Sequence, residues 1–320
     1  MLAKKRVLFI CTPFHEYPAK IKAAIESING TVDLFFIEQR SFLSTFLRNV
    51  NPALYKRFRK RQHERILRKT KPIHYDYIFI QYPYLLSHDF FKNLKIDQPA
   101  AKSINYNWDS IEARDFTPYI KYFDKVFSFD YHDCLSNSVI HYLPLFFTDD
   151  FSPRPEKHKK YDLIFIGGIG DSENRYEFVE SVEKICRNDG IRFHKYLYCP
   201  FNFYVKSLLK GKVYRGVSFK KLPLAKVAAF YQGSECVIDY QNPKQKGFTM
   251  RTFEVLGSGC KLITTNKNVL SAAFMNTELI CTIEKNKPEL SIDFIKNRTS
   301  GIYSFDDYSL NSWIKQIFKN

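Results

Sequence analysis

Short, continuously apolar runs recur between helix-like segments along this chain, and that alternation constrains its fold more than any other feature. Val7 to Cys11, Val32 to Ile37, Tyr77 to Tyr82, Ser103 to Tyr106 and Lys125 to Phe129 make a first series, rich in β-branched and aromatic residues. Their hydrophobicity is continuous instead of alternating. Such strands are expected to be buried on both faces, in parallel sheets covered by helices. Two prolines and a charge cluster break the pattern between Phe151 and Lys160. It restarts at Asp162 to Ile166 and continues through Phe193 to Tyr198, Cys236 to Tyr240, Lys261 to Thr264 and Leu279 to Thr282. Arg175 to Asn188 and Leu222 to Gln232 read as helices between these strands. The pattern predicts an α/β chain of two Rossmann-like, doubly wound domains, residues 1–152 and 160–305. Residues 306–320 place Leu310, Trp313, Ile314 and Phe318 at helical spacing, so an amphipathic terminal helix is expected, a candidate to pack back on the first domain.

A chain of 320 residues is longer than a single core usually sustains, which agrees with two domains. Hydrophobic residues at 45% and aromatics at 17% exclude extended disorder. The formal charge of +16 calls for an anionic partner: nucleic acid, lipid headgroups or a phosphorylated substrate. Cys11, Cys134, Cys186, Cys199, Cys236, Cys260 and Cys281 are scattered singly, without a CxxC pair or a His at ligand spacing. They point to neither a zinc site nor a disulfide framework, and reduced thiols in the cytoplasm are expected. Lys4, Lys5 and Arg6 precede the first apolar run as in a signal peptide. That run is too short, and Pro13, His15 and Glu16 follow it without a small-residue cleavage site. No stretch approaches the roughly 18 apolar residues of a membrane span, so membrane contact is expected to be peripheral.

Chemistry concentrates in the segment from Lys244 to Asn266, KQKGFTMRTFEVLGSGCKLITTN. A polar Gly turn opens it, a helix is predicted from about Thr249, Gly257 or Gly259 ends that helix, and a strand follows. The turn Gly247-Phe248-Thr249 would set backbone N–H groups at a helix N-terminus, an anion site suited to a diphosphate. Glu254, a turn and a half further on, would offer a carboxylate to both ribose hydroxyls of a nucleotide. An ordinary αβ unit with a capped helix and a surface Glu has the same spacing.

Read whole, the segment resembles the nucleotide-sugar motif of GT-B glycosyltransferases: a Gly-Phe-Gly-like turn, a helix carrying a Glu, a small-residue corner and a strand. The resemblance is closest to bacterial lipopolysaccharide and capsule glycosyltransferases, including CgeB-like proteins. It implies a GT-B fold whose two Rossmann-like domains face an interdomain cleft, and metal-independent hexosyl transfer with no cofactor beyond the nucleotide-sugar donor. It also implies donor contacts from Lys246, Gly247, Phe248, Thr249, Met250, Arg251 and Glu254. Many retaining members carry two glutamates with seven residues between them; the second corresponds to Glu254, but the first falls on Lys246. A Lys there suits a donor phosphate and cannot replace a carboxylate beside the sugar, so retaining stereochemistry is not implied.

A second constellation runs from Asp162 to Val179, a strand followed by glycines and a helix. Gly167 and Gly168 permit close backbone approach to a ligand, and Arg175 is placed for a bidentate pair with a diphosphate. Members of the resembled family show the same strand, glycines and Arg. A tight strand-to-helix turn with a surface Arg is the structural alternative, and as a dinucleotide fingerprint Gly168-Ile-Gly170 lacks its third Gly. Asp239, at a strand's carboxyl end, reads either as a cleft residue or as a cap.

In the first domain, Thr12-Pro-Phe-His-Glu-Tyr-Pro18 follows the first strand, on the edge where α/β folds bind ligands. His15 or Glu16 is therefore a candidate general base for an acceptor hydroxyl, with an exposed loop His as the bland reading. Asn107-Trp-Asp-Ser110 offers Asp109 as a second base and Trp108 as a sugar-stacking ring, as in related transferases, against a buried Trp and a helix-capping Asp109. Asp130 and His132 rank below these, because such residues at strand ends frequently only cap the next helix.

Between Arg40 and Lys71 the chain carries Arg48, Lys56, Arg57, Arg59, Lys60, Arg61, Arg65, Arg68 and Lys69. Phe42, Phe46, Leu47, Leu54, Tyr55, Phe58, Ile66 and Leu67 are interleaved with them. A basic helical hairpin of this kind suits the anionic inner leaflet, or packs on the sheet as a solvated helix. No defined nucleic-acid module accompanies it, so nucleic acid is not expected as a partner. The expected function is transfer of a sugar from a nucleotide-sugar to a hydroxyl of a cell-surface glycan or lipid-linked acceptor, in lipopolysaccharide, O-antigen or capsule biosynthesis. The alternative is a non-catalytic nucleotide- or polyanion-binding or peripheral membrane protein.

Overall fold

Apolar runs buried on both faces assemble as parallel strands, and both series do so. A computed structural model describes residues 2–38, 46, 50–153, 159–170, 173–242, 245–297, 299, 301 and 303–319. Strands β1 (Arg6–Cys11), β2 (Thr31–Phe36), β3 (Tyr77–Ile80), β4 (Lys102–Asn107), β5 (Lys125–Ser128) and β6 (Ile140–Tyr142) form one sheet in the order β2-β1-β3-β4-β5-β6. Every pairing in it is parallel. The second sheet holds β7 (Tyr161–Gly168), β8 (Phe193–Tyr198), β9 (Val217–Ser218), β10 (Ser234–Asp239), β11 (Lys261–Thr264) and β12 (Ile280–Thr282) in the order β12-β11-β10-β7-β8-β9, again parallel. Strand order reverses between β7 and β10, the switch point at which doubly wound folds open a crevice. The edge strands β6 and β9 were not anticipated, since three and two residues are too few to write a burial pattern.

Helices α1 (Tyr17–Ser27), α2 (Pro52–Thr70), α3 (His88–Asp97) and α4 (Tyr131–Ser136) belong to the first sheet. Helices α5 (Glu173–Asn188), α6 (Phe201–Leu209), α7 (Leu224–Gln232), α8 (Met250–Gly257) and α9 (Ile292–Lys296) belong to the second, and α10 (Leu310–Ile317) follows them. The chain divides into two compact units, Met1–Pro144 with Leu310–Asn320, and Leu145–Ser309. Helix α10 joins the first because Trp313 meets Tyr106 edge-on at 4.8 Å and Phe79 at 6.0 Å, while Phe318 meets Tyr77 at 5.3 Å. The division falls ahead of the proline-rich break, of which residues 154–158 lie outside the described part. Phe151 packs on Tyr231 at 5.7 Å, and Gln232 Nε2 donates to the carbonyls of Asp150 (3.0 Å) and Ser152 (2.8 Å), which holds this stretch in the second unit.

The basic segment forms one described helix, α2. Asn51 caps it by accepting from Leu54 N at 3.0 Å, and Pro52 opens it. Only His63, Ile66 and Thr70 are buried, so Lys56, Arg57, Lys60, Arg61, Arg65, Arg68 and Lys69 face solvent. The other arm of the expected hairpin, with Arg40, Phe42, Leu47 and Arg48, and Lys244 of the Gly-turn segment lie outside the described residues.

His63 meets the Phe90 ring at 5.9 Å, and burial, reinforced by the Arg59 charge, pushes its imidazole down to about 4 despite the Ile37 backbone and Glu38. Between the ordinary value of 6.5 and about 4, the unfolded chain binds a proton that the folded chain refuses. Stability is therefore full above this window and falls as pH drops through it. The expected loss is about 2 kcal/mol at pH 5 relative to pH 7.5, and it disappears in His63→Gln. Urea midpoints of both proteins at the two pH values check this, and parallel pH responses would remove His63 as the cause.

Candidate active site

In the second unit Asp239, Arg251, Arg175 and Lys285 come together at the carboxyl ends of β7 and β10. Asp239 closes β10 and is 1% exposed. Arg251, in the first turn of α8, donates from Nη1 to Asp239 Oδ1 at 3.0 Å and from Nε to the Tyr231 hydroxyl at 3.3 Å. Its guanidinium lies 5.7 Å from the Phe165 ring centre. Thr264 Oγ1 donates a weaker bond to Asp239 at 3.4 Å. The carboxylate thus pairs within the protein instead of capping a helix, and it holds Arg251 over the end of β7.

Gly167 leaves room for the Phe165 ring over which Arg251 lies. A Cβ at this position would stand 2.9 Å from Phe165 Cζ and 3.6 Å from Arg251 Nη2. Gly168 offers its carbonyl to Arg175 Nη1, and the Arg175 guanidinium stacks 5.5 Å from the Tyr240 ring centre. Arg175 is therefore half-buried and oriented, not a loose surface residue. Lys285, just beyond β12, places its ammonium 5.2 Å from the same Tyr240 ring and donates to the Gln241 carbonyl at 2.9 Å. Burial holds its ammonium below the ordinary lysine range, with Asp239 opposing and Arg175 reinforcing. No motif announces Lys285 in the sequence; sheet order alone brings it to Arg175.

The Gly turn is held from behind. Gln241 Nε2 donates to the carbonyls of Gln245 (2.6 Å) and Gly247 (2.9 Å). Asn266 Nδ2 donates to Gly247 at 3.2 Å, and Asn268 Nδ2 to the Lys246 carbonyl at 3.0 Å. Three side-chain amides thus fix the carbonyls of the turn that leads into α8. Thr249 is the N-cap of α8, yet it makes no side-chain cap bond, and its buried hydroxyl has no hydrogen-bond partner among the described residues. Phe248 packs edge-on against Phe274 at 4.9 Å, and Met250 begins the helix. Lys246 is exposed and, with Lys267 and Lys285, lines a polar cavity of about 360 Å³. Glu254 is 6% exposed, so it is not the surface Glu of the bland reading; its charge acts on Tyr231 and Arg251.

In the first unit, His15 and Asp109 both follow strands at the carboxyl edge, after β1 and β4. His15 is exposed and adopts φ 46°, and Tyr82 after β3 adopts φ 58°, left-handed values that non-glycine residues hold only under structural constraint. Trp108 is buried, meeting Phe14 at 5.5 Å, Tyr17 at 5.7 Å and Tyr82 at 6.5 Å. Asp109 accepts from the Tyr84 hydroxyl at 2.9 Å; burial first, and then this carboxylate, push the phenol far up. Glu16 is the N-cap position of α1 and makes no side-chain cap bond there. Asp130 caps α4 by accepting from His132 N at 3.0 Å, so the capping alternative holds for that residue, while the His132 side chain is exposed.

No protein-family model matches the chain, and no curated protein matches it by sequence. Its fold is similar to solved structures over nearly its whole length. A glycosyltransferase from Rickettsia africae ESF-5 aligns with a TM-score of 0.59 at 14% identity, over 99% of each chain. An α,α-trehalose-phosphate synthase (UDP-forming) from Burkholderia vietnamiensis aligns at 0.55 and 11% identity, over 98% of this chain and 92% of that one. The lipopolysaccharide outer core galactosyltransferase WaaB, in its apo form, aligns at 0.52 and 12% identity, over 98% and 96%. At such identities the likeness is one of architecture. The chain has the GT-B fold, two Rossmann-like α/β domains built on two parallel six-stranded sheets.

Proposed function

We propose that this chain is a cytoplasmic, metal-independent glycosyltransferase of the lipopolysaccharide and capsule type, CgeB-like in its donor motif. It moves a sugar from a nucleotide-sugar to a hydroxyl of a cell-surface glycan or lipid-linked acceptor. One observation carries the reading: Arg175 and Lys285 flank Tyr240 beside Gly168, next to the Arg251–Asp239 pair at the strand-order switch. The fold shared with a galactosyltransferase and a UDP-forming synthase supports it.

In this reading the diphosphate lies against Gly167 and Gly168 and takes charge-assisted bonds from Arg175 and Lys285. Those cations are already oriented by the ring and carbonyls they touch, so they stabilise the charge that develops on the leaving diphosphate without reorganising. Gly247 to Arg251 approach the phosphates from the start of α8, Lys246 adds a further cation, and Glu254 accepts from the ribose hydroxyls. His15 or Asp109 takes the proton of the acceptor hydroxyl. The exposed cations of α2 hold the enzyme near the anionic leaflet that carries its acceptor.

A thermal-shift screen against UDP, GDP, CMP, TDP and their sugar conjugates tests the donor site. At a hundredfold excess over Kd, one nucleotide is expected to stabilise the protein by about 2.7 kcal/mol, roughly 5 °C. Arg175→Ala and Glu254→Ala should abolish that shift; no shift with any nucleotide would overturn the reading. In His15→Ala or Asp109→Asn, whichever removes the base, transfer is expected to fall by about 10²–10⁴ while the nucleotide shift persists. Stabilisation by a nucleotide with no transfer to any acceptor would instead mark a binding protein.

A further inference from the structure

We propose that helix α6 and the β9 margin of the second unit dock on an anionic lipid surface. Helix α6 is apolar on two faces. Phe203 and Tyr204 pack on the core of the unit, with Ser207 buried beside them. Phe201, Val205, Leu208 and Leu209, spaced i, i+4, i+7 and i+8, form a second stripe that is exposed by 65%, 38%, 42% and 83%. A helix with two apolar faces calls for an apolar environment on both, and the fold provides one. Val213 and Phe219 extend the exposed stripe. The Phe219 ring meets Phe201 at 5.5 Å and Tyr204 at 5.2 Å, which joins the helix and the β9 margin into one surface.

Charge identifies the occupant. Lys206, Lys210, Lys212, Arg215, Lys220 and Lys221 are exposed in the same segment, and no acidic residue occurs between Asp189 and Glu235. A second copy of this +16 chain would bring cations against cations. Nucleic acid would satisfy the cations and leave the aliphatic stripe in water. An anionic bilayer meets both demands together: rings and leucines enter the acyl boundary while lysine stems lift their ammonium groups to the headgroups. This surface is distinct from α2 and does not depend on the donor reading.

Sedimentation with phosphatidylglycerol-containing vesicles and with neutral phosphatidylcholine vesicles tests it. The full chain is expected to bind the anionic vesicles and not the neutral ones. Leu208→Glu/Leu209→Glu and Lys206→Glu/Lys210→Glu should each weaken binding at least tenfold, in the wild type and equally in an Arg57→Glu/Arg61→Glu background that disables α2. A Leu209→Trp probe supplies a direct readout, because both native tryptophans, Trp108 and Trp313, are buried. Its emission should move to the blue on anionic vesicles. Unchanged vesicle binding in the α6 variants, or an unmoved Leu209→Trp spectrum, would overturn the proposal. So would an oligomer, seen by light scattering without lipid, that the leucine substitutions dissolve. Nucleotide-induced thermal shifts in the same variants should match the wild type, which separates this outcome from that of the donor site.

Discussion

Replacing Arg251 with alanine is expected to lower the unfolding free energy by about 3 kcal/mol. The cause is the partner left behind. Asp239 is 1% exposed, and without Arg251 Nη1 at 3.0 Å its carboxylate keeps, among the described residues, the long bond from Thr264 Oγ1 and the more distant charge of Lys285. A buried charge stripped of its direct partner costs more than the pair contributed. Asp239→Asn in the Arg251→Ala background should therefore recover most of the loss, since the double variant removes the buried charge that Arg251 had paired. Urea denaturation of the two single variants and the double variant gives the coupling energy. A loss under about 1 kcal/mol for Arg251→Ala would show that solvent reaches Asp239 and that the pair does not hold the end of β10.

Gly257→Val is expected to cost about 3 kcal/mol, and Gly257→Ala about half of that, for a steric reason. A Cβ on Gly257 would lie 2.6, 2.7 and 2.9 Å from three atoms of the Phe147 ring. Phe147 is itself buried, and its backbone N–H donates to the Tyr308 carbonyl at 2.9 Å, so the ring has little room to retreat. Relief has to come from α8, the helix that carries Arg251 and Glu254. The nucleotide-induced thermal shift should weaken along with stability. Shrinking the ring by Phe147→Leu should recover much of the loss in Gly257→Val, although alone it destabilises the wild type. If Gly257→Val melts like the wild type, the contact with Phe147 is not what excludes a side chain there.

The strands were legible because burial on both faces writes a continuous apolar run into a handful of neighbouring residues. Val7 to Cys11 is fully buried as β1, and Lys261 to Thr264 is β11 residue for residue. The same local logic located α8: a glycine turn before Met250, and a corner at Gly259, whose φ of 70° lies in the left-handed region. The residues proposed for the donor motif could be singled out for this reason, being consecutive. Alternatives that hinge on who sits opposite were not legible. Asp130 turned out to be a cap, Asp239 an ion-pair partner and Trp108 a buried ring, because each outcome depends on a neighbour distant in the chain.

Sequence by itself thus determined the α/β class, ten of the twelve strands among the described residues and the start of the helix that follows the glycine turn. Tertiary structure alone decided the strand order, the meeting of Arg175 with Lys285 across Tyr240, and the amides of Gln241, Asn266 and Asn268 on the turn. The physical reason is range. Apolar periodicity and turn chemistry act between residues a few positions apart, whereas the site is assembled by parallel crossovers that bring residues more than a hundred positions apart to one sheet edge.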